Sequence, residues 1–491
     1  MEIYQLTIHE ARSLLKSGDI SLQEILEGVI DRIVATEAKT NSFISFNIEG
    51  SIEQVSKIDS KKALEDGTPF VMGIPMGIQD NICAIDHRMT AASRVLSDFM
   101  PPYDASVIKR LRQSHCVIMG KLNMDEFGIG AAPNIPPFKS AKNPWNLKKT
   151  PGRGAGGCGA AVSTGQVFYA IGSDSSGCLR QSAAFCGVVG FKPTYGLVSR
   201  YGLASSSPSM EQIGCITKDV KDCVNLIEEI IFYDVKDARS IKIEDTGFNN
   251  ALVDNLQDFA IGIPKEIFDD TWDPQIRKAV DSALIVLEKL GACLVDISLP
   301  HSKYASAVHY IIQSSEAASS LGKYDGIRYG GDRKASENLD MLYFNARSLG
   351  FNKETKRRII LGNLFLSSKF YDSYYQKALS IRELIREDFK KAYKLCDTIL
   401  TPASPILSFN LDSETAHLSG IDKSFKYTLL ANLAGLPAIT IPCGRDNEDM
   451  PIGIQFIGDM FCERKTLRVA YAYESNTDFN IKEPGFREEV Q

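Results

Sequence analysis

The sequence predicts an α/β fold, a sheet covered by helices on both faces. Strand-like apolar runs at 260–263, 293–297, 398–400, 438–441 and 452–457 alternate with helical stretches that include 274–290 and 371–393. No Pro/Ser-rich linker, charge run or shift in composition divides the 491 residues, so a single domain over 1–491 is expected. Within it, 1–66 reads as a helical N-terminal segment and 67–215 as a core built around a stretch dense in Gly, Ser, Ala and Cys.

In chain order, Thr7-x-x-Glu10 and Ser21-x-x-Glu24 are capping boxes that open two helices, the first ending near Gly18 and the second near residue 37. Residues 43–46 read as a strand and 52–64 as a helix with a polar face. Asp104 is placed to cap a helix through Val107, Ile108 and Leu111, before a strand at 117–119. In the small-residue stretch, two Gly-rich turns at 152–159 and 172–177 flank a short apolar run, 167–171, that reads as a buried strand. A helix-compatible segment follows, so Cys178 falls at a strand-to-helix turn. Backbone N–H groups there can stabilise an oxyanion, and a helix N-terminus can stabilise a thiolate.

Composition narrows the function classes. A net charge of −6 and a pI near 5.7 leave no electrostatic footprint for unaided nucleic-acid binding. Eleven cysteines without a CxxC pair fit a reducing, cytoplasmic setting. The six histidines form no metal-ligand spacing, and no metal site is expected. The acidic and amide groups Asp80, Asn81, Asp125 and Glu126 read as polar ties between loops. The N-terminus reads as the start of an amphipathic helix, and no apolar run approaches the roughly 18 residues of a membrane span.

The stretch 150–204 resembles the signature of the amidase-signature enzymes, G-G-S-S-G-G-S followed by G-S/T-D-x-G-G-S-I-R. Segments 123–127 (NMDEF), 142–146 (KNPWN), 324–330 (YDGIRYG), 356–359 (KRRI) and 432–438 (NLAGLPA) narrow the resemblance. They are similar to the A, or glutaminase, subunits of glutamyl-tRNA(Gln)/aspartyl-tRNA(Asn) amidotransferases. The resemblance implies the amidase-signature fold, with a large mixed sheet. It also implies a heterotrimer with B-type and C-type subunits. No cofactor is expected in this chain; ATP and Mg²⁺ belong on the B-type partner, and tRNA is met only through the complex.

The resemblance also assigns the site. The catalytic Lys, relay Ser and nucleophilic Ser of the family fall at Gln79, Gly154 and Cys178, so all three are substituted. The oxyanion loop falls at Ser175, Ser176 and Gly177. Ser176 replaces a Gly, which predicts strain if that position needs φ > 0. Arg153 replaces another Gly and is expected to bring charge and bulk close to the site, and Ser182 replaces a Pro and is expected to loosen a turn. In the substrate pocket, Arg358 matches the Arg that grips an α-carboxylate. His309, beside Tyr310, falls at a Tyr, and Phe425 falls at the Asp that would hold an α-amino group. Neither Gln79 nor Gly154 can carry a proton, so a catalytically degenerate scaffold or regulatory paralogue is expected. The alternatives are a Cys178-dependent hydrolase of a non-glutamine amide, with Phe425 shaping an apolar pocket and a base left unassigned, His309 being a candidate, and a ligand-binding module without turnover.

Overall fold

A computed structural model describes residues 2–59, 65, 67–129, 138–244, 247–329, 338–411, 423–479 and 483–487. Its framework is one mixed sheet of 11 strands, in the spatial order β1-β3-β2-β4-β6-β5-β10-β11-β9-β7-β8. In sequence the strands are β1 (Phe43–Phe46), β2 (Pro75–Gln79), β3 (Val117–Leu122), β4 (Tyr169–Asp174), β5 (Val189–Lys192), β6 (Gln212–Thr217), β7 (Ala260–Pro264), β8 (Cys293–Ile297), β9 (Thr398–Pro402), β10 (Ala438–Arg445) and β11 (Pro451–Gly458). The central strands β2 to β6 and β9 to β11 are buried along nearly their whole length, as a sheet covered on both faces requires.

Helices named below are α1 (Ile8–Ser17), α2 (Leu22–Thr40), α3 (Ile48–Ser56), α4 (Ser106–Gln113), α5 (Gly156–Thr164), α6 (Cys178–Cys186), α7 (Val220–Ile230), α8 (Pro274–Lys289), α9 (Ala305–Ser320), α10 (Lys353–Leu366), α11 (Lys377–Ala392), α12 (Thr428–Ala434) and α13 (Glu463–Ser475). Both expected capping boxes form, at Thr7 with Glu10 and at Ser21 with Glu24. The long helix read over 371–393 is a π-helical turn, Tyr371–Gln376, running into α11. Of the helix read at 52–64, α3 occupies Ile48–Ser56, and 60–64 lie outside the described residues. No described helix is long and apolar enough to cross a membrane.

Three local expectations are corrected. Asp104 does not cap α4: its carboxylate accepts from the Ile85 amide at 2.8 Å and pairs with Arg112 at 3.2 Å, and Ala105 stands at the N-cap. The strand read at 167–171 begins at Tyr169 and extends to Asp174, because Ser173 and Asp174 pair with Ile213 and Gln212 of β6. The turn read over 152–159 is a turn only in its first half, since α5 begins at Gly156.

The topology fixes where a site can lie. β2 and β4 are parallel neighbours, so Gln79 and Asp174, their last residues, end at the same edge of the sheet. Ligands of open α/β sheets bind outside such carboxyl ends.

Candidate active site

Two turns meet at that edge. Gly154 lies in the first, at φ +79°, and its N–H donates to Asp125 Oδ2 at 3.0 Å. The second turn ends at Gly177, φ +106°, which hands the chain into α6 with Cys178 as its first residue. A Cβ on Gly177 would stand 2.1 Å from the Thr428 hydroxyl oxygen, so only glycine fits that approach.

A buried polar network holds the second turn. The Arg180 guanidinium donates through Nε to Asp174 Oδ2 and through an Nη to Oδ1, both at 3.0 Å. It also reaches Asn432 Oδ1 at 2.6 Å, the Thr428 carbonyl at 2.9 Å and Gln455 Oε1. Asn432 Nδ2 donates back to the carbonyl and to the carboxylate of Asp174, both at 2.9 Å. Burial alone would raise the Asp174 carboxyl, but the Arg180 charge outweighs it and holds the group below the usual range. Thr428 completes the frame by donating to the Ser176 carbonyl at 3.0 Å.

At the position that resembles the catalytic Lys, Gln79 bridges the two turns. Its Nε2 donates to the Gly154 carbonyl at 3.1 Å, and its Oε1 accepts from the Ser173 amide at 2.6 Å. Both ends of the amide are engaged in structure, and neither can accept a proton near neutral pH.

The Cys178 sulfur occupies the space in front of Gly154. A Cβ built on Gly154 would lie 2.4 Å from Sγ, so a side chain at 154 and the present position of the sulfur exclude each other. The thiol lies 3.3 Å from the Ser176 hydroxyl and 3.8 Å from that of Ser175. Burial, with the Asp174 charge added, pushes the thiol up to about 11 against those two hydrogen bonds. Burial decides the balance, and the group is held as a neutral thiol at pH 7.

His309, on α9, places its Nε2 3.2 Å from the Ser175 carbonyl, which can only accept, so the ring carries its proton there. Burial, reinforced by the Arg358 and Arg382 charges, pushes the imidazole down to about 4. Arg358, on α10, donates to Glu354 at 2.9 Å and to Gln313 Oε1 at 3.0 Å, with its guanidinium 3.9 Å from the centre of the Tyr310 ring. His309 and Tyr310 thus take separate places, the first in the site wall and the second under the guanidinium.

Gly154, Ser176, Cys178, His309, Arg358 and Phe425 wall one cavity. Phe425 and Leu429 form its apolar side, and Ser306 and Gln313 join His309 from α9. It leaves about 20 Å³ of room for a water-sized sphere, enough for about one water molecule. Gln79, Ser175 and Gly177 stand behind the wall. The expectations for the substituted loops change here. Ser176 is unstrained, because the positive φ falls on Gly177. Arg153 does not line this cavity; its side chain turns to a separate crevice beside Asp125, with the guanidinium 5.7 Å from the Phe409 ring. Ser182 loosens no turn: it sits inside α6 and donates to the Pro151 carbonyl at 2.8 Å, tying the helix to the first turn.

The acidic groups nearby are each committed to the frame. Asp80 accepts from the Thr90 amide at 2.9 Å and faces Lys121 at 3.7 Å. Asn81 donates to the Ser173 hydroxyl at 2.8 Å, and Glu126 accepts from the Ser93 hydroxyl at 2.6 Å and the Asn352 amide at 3.0 Å. Five wall residues escaped the sequence reading, Gly128 and Ile129 among them, and the spacing of the other three carries a signal. Ser306 and Gln313 are one helical turn either side of His309, and Leu429 is one turn beyond Phe425.

A mixed 11-stranded sheet with two Gly turns meeting at its edge defines the class, and comparison with known proteins agrees. The Amidase family profile matches residues 24–467, and the chain belongs to that family. Within it, the chain is similar to the A subunits of glutamyl-tRNA(Gln) amidotransferases. It is 42% identical to that of Thermoanaerobacter pseudethanolicus over 482 residues, 98% of each chain. The Moorella thermoacetica counterpart is 41% identical over 484 residues, 99% of each. The crystal structure of the Thermotoga maritima counterpart superposes with a TM-score of 0.81 at 33% identity, covering 99% of both chains. Peptide amidase from Stenotrophomonas maltophilia shares the fold, with a TM-score of 0.82 at 23% identity over 98% of this chain and 99% of that one.

Proposed function

We propose that this chain is an A-subunit-like component of a tRNA-dependent amidotransferase whose glutaminase centre has become structural, leaving a scaffold or regulatory role in the cytoplasm. The observation that carries the reading is the joint state of three positions. Gln79 is locked between the turns, Gly154 offers no hydroxyl, and Cys178 is a buried neutral thiol filling the space in front of it. Acyl transfer needs an acceptor for the nucleophile's proton and a donor for the leaving amine. Gln79 and Gly154 supply neither, and a His309 held near pKa 4 is a weak base at pH 7. The cavity supports the same reading, because Phe425 and Leu429 leave about one water's space where a glutamine would have to sit.

B- and C-type subunits are the partners this reading requires. Co-expressed with those of its own source, the chain is expected to co-purify as a stable complex. That complex should amidate Glu-tRNA(Gln) with ammonium as the nitrogen source and fail with glutamine. Failure to assemble would remove the scaffold role, and use of glutamine would remove the loss of the glutaminase.

A further inference from the structure

Away from the site, the first turn of α1 meets the first turn of α7 through two backbone amides and one histidine side chain. The Ile8 and His9 amides donate to the two oxygens of the Asp222 carboxylate at 2.6 and 3.0 Å, and the Asp222 side chain is fully buried. His9 Nδ1 lies 3.0 Å from Asp222 Oδ1 and 3.4 Å from Asp219 Oδ2. Asp219 is meanwhile the N-cap of α7, accepting from the Asp222 amide at 2.7 Å. One imidazole therefore stands between two carboxylates that belong to the other helix.

The surrounding charges include a second titrating anchor, Lys218, whose ammonium burial pulls down to about 8. Lys218 is committed to the Tyr4 and Leu6 carbonyls at 2.5 and 2.6 Å, holding the segment just before α1. Glu10 is committed to the Thr7 capping box, and Glu474 of α13 accepts from the Val220 amide at 2.8 Å. Lys221 adds a repulsion to His9, and Arg32 of α2 acts on Lys218. Beside the junction runs a groove of about 590 Å³, walled in part by Thr7, His9, Lys218, Asp219, Tyr471 and Glu474.

We propose that His9, Asp219 and Asp222 form a proton-held clasp that fastens the N-terminal helix to α7 near and below neutral pH and loosens it above, opening one wall of the groove. The proton balance supports the direction. Burial works against a charged His9, but the Asp222 hydrogen bond and the charges of both carboxylates outweigh it and raise the imidazole above its ordinary value. Burial and the Asp222 charge push Asp219 up to about 7. Both groups bind protons more tightly folded than unfolded, so what they contribute is largest at low pH. It is lost as pH rises through about 7, in two steps that belong to the cluster and not to either residue.

Hydrogen exchange on the full chain, corrected for the intrinsic pH dependence of amide exchange, tests the clasp. Protection of the peptide spanning residues 4–17 is expected to fall by about tenfold between pH 6 and pH 7.5, below the range in which Lys218 loses its proton. Protection of the β6 peptide should stay constant. Asp219→Asn keeps an N-cap of comparable quality on α7 while removing the titrating carboxylate. In that variant, and in His9→Gln, one of the two titrating groups remains, so the fall in 4–17 protection should be smaller than in the wild type and should vanish only in the double variant. A flat profile in the wild type, or the wild-type pH dependence in both variants, would overturn the proposal.

Discussion

Replacing Arg180 with Met should cost about 3–5 kcal/mol of folding stability, one of the two largest single-residue effects expected in this chain. The guanidinium is fully buried and ties the end of β4 to α12 and β11 through Asp174, Asn432, Thr428 and Gln455. Methionine fills much of the volume but leaves Asp174 charged or newly protonated in a dry site, with Asn432 and two backbone groups as its remaining partners. The pH dependence should change with it. In the wild type the Asp174 carboxyl is held low, so its contribution is present above the ordinary carboxylate range and is lost only as pH falls through that depressed value. In Arg180→Met the folded carboxyl rises, and stability should instead decline as pH climbs from about 4 towards neutrality. Urea unfolding at pH 5 and pH 8 reads both effects. A loss below about 1 kcal/mol at both pH values would mean that the network is not what holds the turn.

The second large effect concerns the pair at 154 and 178. Gly154→Ser should destabilise by about 2–4 kcal/mol, combining a side chain forced to φ +79° with a Cβ 2.4 Å from the Cys178 sulfur. Cys178→Ala removes the sulfur and should relieve the larger part of the clash, leaving the backbone part and a 2.8 Å approach to the Cβ at 178. The double variant should therefore be more stable than the sum of the singles by about 1–2 kcal/mol. Additive losses would show that the sulfur yields without cost and that the two positions are independent. A positive coupling would mean that the relay hydroxyl cannot return to this chain by one substitution, because the sulfur occupies its place.

Local chemistry was legible in the sequence where it decides the structure by itself. The capping boxes at Thr7 and Ser21 form because each donor and acceptor lies within one helical turn. The family resemblance placed Gln79, Gly154 and Cys178, and the fold brings them together. What the sequence could not carry was competition from distant groups. Asp104 precedes an apolar helix as a cap should, yet Ile85 and Arg112 claim its carboxylate from elsewhere. Arg153 is adjacent to Gly154 in sequence, but the backbone turns its side chain to the far side, towards Phe409. The apolar run 167–171 predicted a strand, but the far end of β4 is made of Gly, Ser and Asp, held extended by the β6 ladder and by Gln79. The segment 432–438 marked Asn432 as part of a resemblance without indicating its bonds to Asp174 and Arg180.

Ammonia release from glutamine by the purified chain, alone and with B- and C-type subunits, compared with its Cys178→Ala variant, bears most directly on the loss of the glutaminase centre. With Gln79 and Gly154 unable to move a proton and Cys178 held as a thiol, release from either protein is expected to match the protein-free control. Glutamine turnover by the wild type that disappears in Cys178→Ala would contradict that expectation and make His309 the first residue to test as the base.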